Sequence, residues 1–310
     1  MRSYAIIGTG ALGGYYGGLL ARAGFDVHFL LHSDYQHVHK YGLKVDSKNG
    51  DFHLPNVNAY ASPRDLPACD VTILALKTTQ NHLLAELLPH ATGETGVVLV
   101  LQNGMHVEAD TVAIVGPDRV LGGCCFLCSN KVGPGHIRHL DYGRIALGEY
   151  RVDGSAGGIT PRLREIVDDL NHASIPSQGV ENLIQVRWQK LMWNIPFNGL
   201  SVILDASTAQ IMAVPASEAL AETLIRDVRD AAMQCGQRID ESFVDKMMND
   251  TRKMVPYDSS MRLDFKQGRP MEVEAIFGNP LRELTKHGGR SPRLEMLYQQ
   301  LRFIDSKPTE

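Results

Sequence analysis

A strand-like run that ends in regularly spaced glycines limits what this chain can fold into more than any other feature. Residues 4–8 are apolar, Gly8-Thr9-Gly10-Ala11-Leu12-Gly13 has the spacing G-x-G-x-x-G, and residues 12–23 continue with helical periodicity to a stop at Gly24. A strand that turns sharply into a helix gives each glycine a task. Gly8 allows the tight turn, Gly10 lets the backbone approach a pyrophosphate, and Gly13 lets helix and strand lie close. The helix N-terminus offers N–H groups and the positive end of its dipole to phosphate, so Ala11 and Leu12 join the glycines as candidate contacts. A glycine-rich turn that binds nothing is the plain alternative, and the strand–turn–helix context weighs against it. It also weighs against a secretory leader, because glycines at 8, 10, 13, 14, 17 and 18 interrupt the apolar run behind Arg2.

Residues 27–31, 71–76 and 97–101 read as further apolar strands, with helical stretches between them such as residues 81–88. Strands alternating with helices imply βαβ units and a parallel sheet. Residues 121–126, 135–139 and 144–148 read as strands closing this part, residues 161–170 as a helix and residues 175–178 as a short linking strand. From residue 181 strand signals nearly vanish, and residues 181–194, 217–235, 243–248 and 291–303 have helical spacing. The expectation is an α/β chain. A Rossmann-type parallel-sheet domain over residues 1–179 binds the dinucleotide, an all-helical domain over residues 180–310 carries substrate and catalysis, and the catalytic cleft lies between them.

Composition removes other classes. The 310 residues suffice for two ordinary domains, and 44% hydrophobic with 21% charged residues is a globular balance. A net charge of -4 without a Lys/Arg run does not suit a nucleic-acid surface. No apolar stretch reaches the ~18–20 residues of a membrane span, and with no targeting segment recognised a cytoplasmic location is expected. Five cysteines are too few, and odd in number, for a disulfide framework. Cys125 and Cys128 form a C-x-x-C, but no second pair completes a zinc site, and residues 120–127 read as a buried strand where cysteine acts as a small hydrophobe. No metal is expected.

The end of the second strand decides between NAD and NADP, because an acid there binds a ribose 2′-hydroxyl and a basic group a 2′-phosphate. The chain has Leu31-His32-Ser33-Asp34. His32 and Ser33 both donate to a phosphate, and Lys77, at the end of another strand on the same sheet edge, adds positive charge. Asp34 comes late and also reads as a helix N-cap. NADP is the favoured cofactor.

In the segment from Arg187 to Asn198, Lys190, Asn194 and Asn198 recur every four residues. On a helix each step turns ~40° beyond a full circle and rises ~6 Å, so the three form one polar stripe, beside an apolar stripe of Trp188, Leu191 and Ile195. Pro196 removes a backbone bond and should kink the helix. A ketone that accepts hydride becomes an alkoxide, which needs a proton and a positive charge, and a lysine ammonium supplies both. Two amides one turn apart suit a carboxylate and a hydroxyl. A solvated Lys190, one buried asparagine and a helix end at Asn198-Gly199 would explain the same pattern without chemistry.

These pieces together resemble the ketopantoate reductase family over nearly the whole chain. The resemblance rests on residues 8–13, Lys77, the turn Gln102-Asn103-Gly104, the Trp188, Lys190, Asn194 and Asn198 helix, and Ser259-Ser260-Met261 with Asp264, Gly268-Arg269 and Glu272. It implies that Lys190 gives the proton to the C2 alkoxide and that Asn194, Asn198 and Ser260 hold the substrate. It further implies that Asn103 lies between nicotinamide and substrate, that Glu272 serves both catalysis and the nicotinamide ribose, and that NADPH delivers the hydride. The partner it implies is a small 2-oxo acid, with ketopantoate leading and another bulky 2-oxo acid as alternative, and it leaves room for a homodimer. A nicotinamide-binding sensor without activity would need no proton donor. Two departures stand out. Many members carry arginine where this chain has His32, which lacks a fixed charge. Met271-Glu272 and Phe277-Gly278 replace a common Thr-Glu and Asn-Gly, which would alter the substrate pocket.

Overall fold

Tyr4, Ala5, Ile6 and Ile7 are wholly buried, as an apolar run without polar alternation requires of a strand covered on both faces. The computed structural model describes residues 1–254 and 258–307, so the last residues of the expected second domain lie outside it. The strands are β1 (Ser3–Ile7), β2 (Asp26–Leu30), β3 (Leu43–Ser47), β4 (Phe52–Leu54), β5 (Asn58–Tyr60), β6 (Cys69–Leu74), β7 (Thr92–Val100), β8 (Val120–Gly133), β9 (His136–Glu149) and β10 (Ser177–Gly179). The helices are α1 (Ala11–Arg22), α2 (Tyr35–Tyr41), α3 (Leu84–Ala91), α4 (Ala109–Val115), α5 (Pro161–His172), α6 (Leu183–Ile203), α7 (Thr208–Ala213), α8 (Pro215–Gln234), α9 (Ser242–Lys253), α10 (Ser260–Lys266), α11 (Asn279–Lys286) and α12 (Pro292–Asp305). The chain divides into two compact units, Met1–Gln102 with Val107–Leu183, and Asn103–His106 with Ile184–Glu310.

In the first unit the strands form one sheet in the order β4-β3-β9-β8-β7-β6-β1-β2-β5, with β10 beside β9. The stretch from β8 through β7, β6, β1 and β2 to β5 is parallel. The chain leaves β1 towards β2 on one side and reaches β6 on the other, so the carboxyl ends of β1 and β6 flank the topological switch point where doubly wound folds bind ligands. The sheet is mixed rather than wholly parallel, because β8 pairs antiparallel with β9, and β3 with β4. The two strands expected at residues 135–139 and 144–148 are one strand, β9. It runs through register irregularities against β8 and past Tyr142, whose φ is 60°. β3, β4 and β5 were not foreseen, and α2 only through Asp34 read as an N-cap, since their short mixed sequences carry neither clear alternation nor a helical stripe.

Helix α1 lies against both parts of this sheet. A Cβ added at Gly17 would stand 2.6 Å from the Phe29 ring of β2, and one added at Gly14 would stand 2.9 Å from Ile137 of β9. Gly13 and Gly17 therefore face the parallel centre, while Gly14 and Gly18 face the outlying strands, Gly18 meeting Leu43 and Phe52. Two glycine pairs four residues apart give the helix two bare faces, and the sheet closes on both.

The second unit is helical among its described residues, with Trp188, Leu191 and Ile195 buried as the apolar stripe of α6. That helix does not stop near residue 194. It continues through Pro196 to Ile203, and Asn198 and Gly199 lie inside it rather than at its end. Glu274–Gly278 forms a single wide π turn ahead of α11, a local insertion that often marks functional sites. Among the described residues no helix is long and apolar enough to cross a membrane, and no cluster of three or more His, Cys, Asp or Glu side chains is placed to hold a metal. Cys124, Cys125 and Cys128 are buried in β8, and burial pushes the Cys128 thiol up to about 12.

Candidate active site

The turn from β1 to α1 is built from backbone. Gly8 has φ 99°, and a Cβ there would lie 2.5 Å from the Leu76 nitrogen, so no other residue fits this crossing beside the end of β6. Gly10 is the N-cap of α1 and supplies no capping side chain, and the first turn carries no acid. A Cβ at Gly10 would meet nothing within 4 Å, which leaves open space in front of the helix N-terminus. The N–H groups of Ala11, Leu12 and Gly13 have no partner within the helix by construction. An uncapped, uncharged helix start facing open space fits a pyrophosphate. Thr9 Oγ1 donates to the Leu30 carbonyl at 3.0 Å and ties this loop to the end of β2.

His32 and Ser33 lie just past Leu31, which follows β2, and are exposed. Asp34 stands at the N-cap position of α2, as read, but its side chain makes no capping bond. Its carboxylate instead accepts the Gly135 N–H at 2.8 Å and the Lys131 ammonium at 2.7 Å. Burial pushes this carboxyl up, but the Lys131 and Gly135 bonds outweigh it and hold it below the ordinary aspartate range. Lys77 follows β6 and opens the turn Thr78–Leu83. Gln102, at the end of β7, donates its amide to the Leu76 carbonyl at 3.0 Å and to Asn81 Oδ1 at 2.7 Å, which fixes the loop that carries Lys77.

The second unit gathers side chains. Asn103–His106 belongs to it, although the chain on both sides belongs to the first. Gly104 has φ 113° and lies so close to Ala275 that a Cβ would stand 2.5 Å from its carbonyl oxygen. The Met105 N–H donates to that carbonyl at 2.9 Å, the Asn279 amide donates to the Met105 carbonyl at 2.7 Å, and the buried Arg187 guanidinium donates to the Gly104 carbonyl at 3.1 Å. Held this way, Asn103 Oδ1 accepts from the Lys190 ammonium at 2.8 Å.

Asn194 and Asn198 continue the stripe and are both buried. Asn198 Oδ1 has no hydrogen-bond partner, although it is closed off from solvent. A buried acceptor left unpaired costs ~1–3 kcal/mol, so it is an atom suited to a ligand's donor. Ser201, one turn further, donates to the Asn198 carbonyl at 3.0 Å and pairs with Ser259 Oγ at 2.6 Å. Ser259 also caps α10 by accepting the Arg262 N–H, and Ser260 is the first residue of that helix. Glu272 is buried and precedes the π turn whose Ala275 carbonyl holds Met105. Lys190, Asn103, Asn194, Asn198, Ser260 and Glu272 thus all belong to the second unit, while residues 8–13, His32, Ser33 and Lys77 belong to the first.

Sequence reasoning passed over Arg187, Ser201 and Lys131, and took Gln102 only as part of the turn Gln102-Asn103-Gly104. Arg187 lies three residues before Lys190 on the same helix, which was a usable signal, but nothing in the sequence pairs Lys131 with Asp34. The departure at Phe277 falls in packing: the ring is buried and, with Trp188, Ile195 and Leu284, lines a small apolar cavity. Met271 is also buried, and its N–H donates to Asp305 at 2.9 Å.

Two family models match the chain. One described as Ketopantoate reductase PanE/ApbA covers residues 4–151, and its C-terminal counterpart covers residues 182–305. A 2-dehydropantoate 2-reductase of Nostoc sp. is 52% identical over 306 residues, spanning 99% of this chain and 96% of that one. The solved 2-dehydropantoate 2-reductase of Geobacter metallireducens superposes with a TM-score of 0.92 at 40% identity, covering 97% of this chain and 99% of that one. D-mandelate dehydrogenase, solved with NADH and anilino(oxo)acetate, has the same fold, with a TM-score of 0.87 at 19% identity over 98% of both chains.

Proposed function

The chain belongs to the ketopantoate reductase family, and from that premise we propose that it is an oxidoreductase that reduces 2-dehydropantoate to pantoate with NADPH. The product would feed pantothenate and coenzyme A synthesis in the cytoplasm, and the reading includes a homodimer.

The observation that carries the substrate side is the stripe on α6, where an ammonium held by Asn103 stands two turns from a buried amide oxygen without a donor. Reduction leaves negative charge on the C2 oxygen. Lys190 stabilises that charge and transfers its proton there, a role worth ~10²–10⁴ in rate. The substrate also carries a terminal hydroxyl, and Asn198 Oδ1 is the acceptor for it. Asn194 and Ser260 supply donors for the carboxylate.

Gly8, Gly10, Ala11, Leu12 and Gly13 would hold the pyrophosphate, His32 and Ser33 the 2′-phosphate, and Lys77 would add positive charge. Asn103 and Glu272 would serve the nicotinamide end. When bound, the nicotinamide would supply the hydride for the C2 carbon. Glu272, buried just ahead of the π turn, would orient the reacting groups there.

The test is a panel of 2-oxo acids assayed with NADPH and NADH. With NADPH, kcat/KM for 2-dehydropantoate should exceed that for a branched 2-oxo acid lacking the terminal hydroxyl by at least ~fivefold, the low end of the cost of an unpaired buried acceptor. Equal efficiency for the two acids would contradict the substrate assignment.

A further inference from the structure

By sequence, the corner after β2 is poorly equipped for a phosphate, with an exposed His32 lacking a fixed charge and an aspartate two residues later. The fold changes that balance. Asp34 is only 6% exposed, and its carboxylate is occupied by the Gly135 N–H, the Lys131 ammonium and, at 3.2 Å, the Ser33 hydroxyl. Lys131 arrives on the long β8–β9 hairpin. Two residues earlier on the same strand, Ser129 Oγ donates to the Ala11 carbonyl at 3.2 Å, in the first turn of α1. The hairpin is therefore anchored at the glycine turn, and that turn is tied through Thr9 to the end of β2. The Lys131 side chain remains 34% exposed at this corner.

Resting on the reading of the chain as an NADPH enzyme, we propose that Lys131 determines its preference for a 2′-phosphorylated dinucleotide. It does so in two ways. It neutralises Asp34, which would otherwise repel the phosphate, and its ammonium supplies the fixed positive charge that His32 lacks. A lysine is a three-donor point charge, able to keep one N–H on Asp34 while giving another to a phosphate oxygen. The Gly135 bond completes the arrangement by fixing the Asp34 carboxylate. Lys131 touches the adenosine end of the cofactor, so it governs affinity and discrimination and takes no part in hydride or proton transfer.

The experiment is equilibrium binding, read by nicotinamide fluorescence for NADPH and NADH and by calorimetry for adenosine 2′,5′-bisphosphate. Lys131→Met should weaken NADPH and the bisphosphate at least ~tenfold while NADH stays within ~twofold. Lys131→Arg should keep the wild-type preference. Adding Asp34→Asn to Lys131→Met should recover part of the loss, because the uncompensated repulsion is gone. A wild type that binds NADH as tightly as NADPH overturns the cofactor reading together with this proposal. A wild type that prefers NADPH, with a Lys131→Met variant that keeps the same preference or loses both cofactors equally, overturns the Lys131 assignment alone.

Discussion

The two candidate sites are made of opposite materials. In the first unit the turn at residues 8–13 works through missing side chains: Gly8 must lie against Leu76, Gly10 leaves space open, and Gly13 and Gly17 let α1 approach the sheet. In the second unit the site consists of long polar side chains on α6, steadied by a four-residue segment that a buried arginine, the Asn279 side-chain amide and one backbone bond hold in place. Backbone suits a ligand whose charge is fixed and whose phosphates look alike from one dinucleotide to another. A reacting carbon needs a proton at one atom and discrimination at another, and only side chains supply those. Binding and chemistry should therefore fail separately when the two regions are altered.

The largest effect should come from Lys190→Ala, with kcat falling at least ~10²-fold at saturating NADPH. Steady-state assay checks this, and near-normal turnover would break the comparison at its chemical end. Next come two glycine substitutions on the first unit that should behave differently. Gly17→Ala places a methyl 2.6 Å from Phe29 and 2.8 Å from Ile6, so it should cost ~1–3 kcal/mol of stability in a denaturant melt. Gly10→Ala meets no protein atom and should keep stability within ~0.5 kcal/mol while weakening NADPH ~tenfold. If Gly10→Ala left binding unchanged, the open space would not be the ligand's.

A smaller effect should come from Arg162, which is remote from either set of site residues in sequence and serves as a control. The Glu149 carboxylate, 2% exposed, accepts the Arg162 Nε–H at 2.9 Å. Burial pushes this carboxyl up, but Arg162 and Thr160 outweigh it and hold it below the ordinary value. A lowered folded-state pKa stabilises the protein above the ordinary glutamate range and loses that contribution as pH falls through the folded value. Arg162→Met should cost ~1–2 kcal/mol near neutral pH, less than for a fully buried pair because Arg162 is 36% exposed. The gap from wild type should narrow in melts below pH ~4, with NADPH affinity and kcat unchanged. A gap that widened with acid would reverse the sign of the Glu149 contribution.

What the sequence disclosed follows the same division. The glycine turn was legible because each glycine answers a local constraint, and the Lys190, Asn194, Asn198 stripe because helical period is local too. Gly14 and Gly18 were not, since their purpose is contact with β9, β3 and β4, strands too short or irregular to read. Residues 135–148 read as two strands because the irregular pairing at Phe126–Leu127 and Cys128–Ser129 breaks the alternation without ending the strand. Lys131 with Asp34 and Ser201 with Ser259 are pairings across 97 and 58 positions, which one sequence does not reveal. The expected arrest near Asn194 failed because α6 is buried along its length. Packing outweighs the bond lost at Pro196.

The most direct test of this division is to measure NADPH affinity and turnover on the same preparations of Lys190→Ala and Gly10→Ala. The account predicts a crossed result. Lys190→Ala should bind NADPH within ~twofold of wild type and lose at least ~10² in kcat, while Gly10→Ala should bind ~tenfold more weakly yet regain kcat within ~threefold once NADPH is saturating. If both variants lost affinity and turnover together, the separation of a backbone cofactor site from a side-chain chemical site would be contradicted.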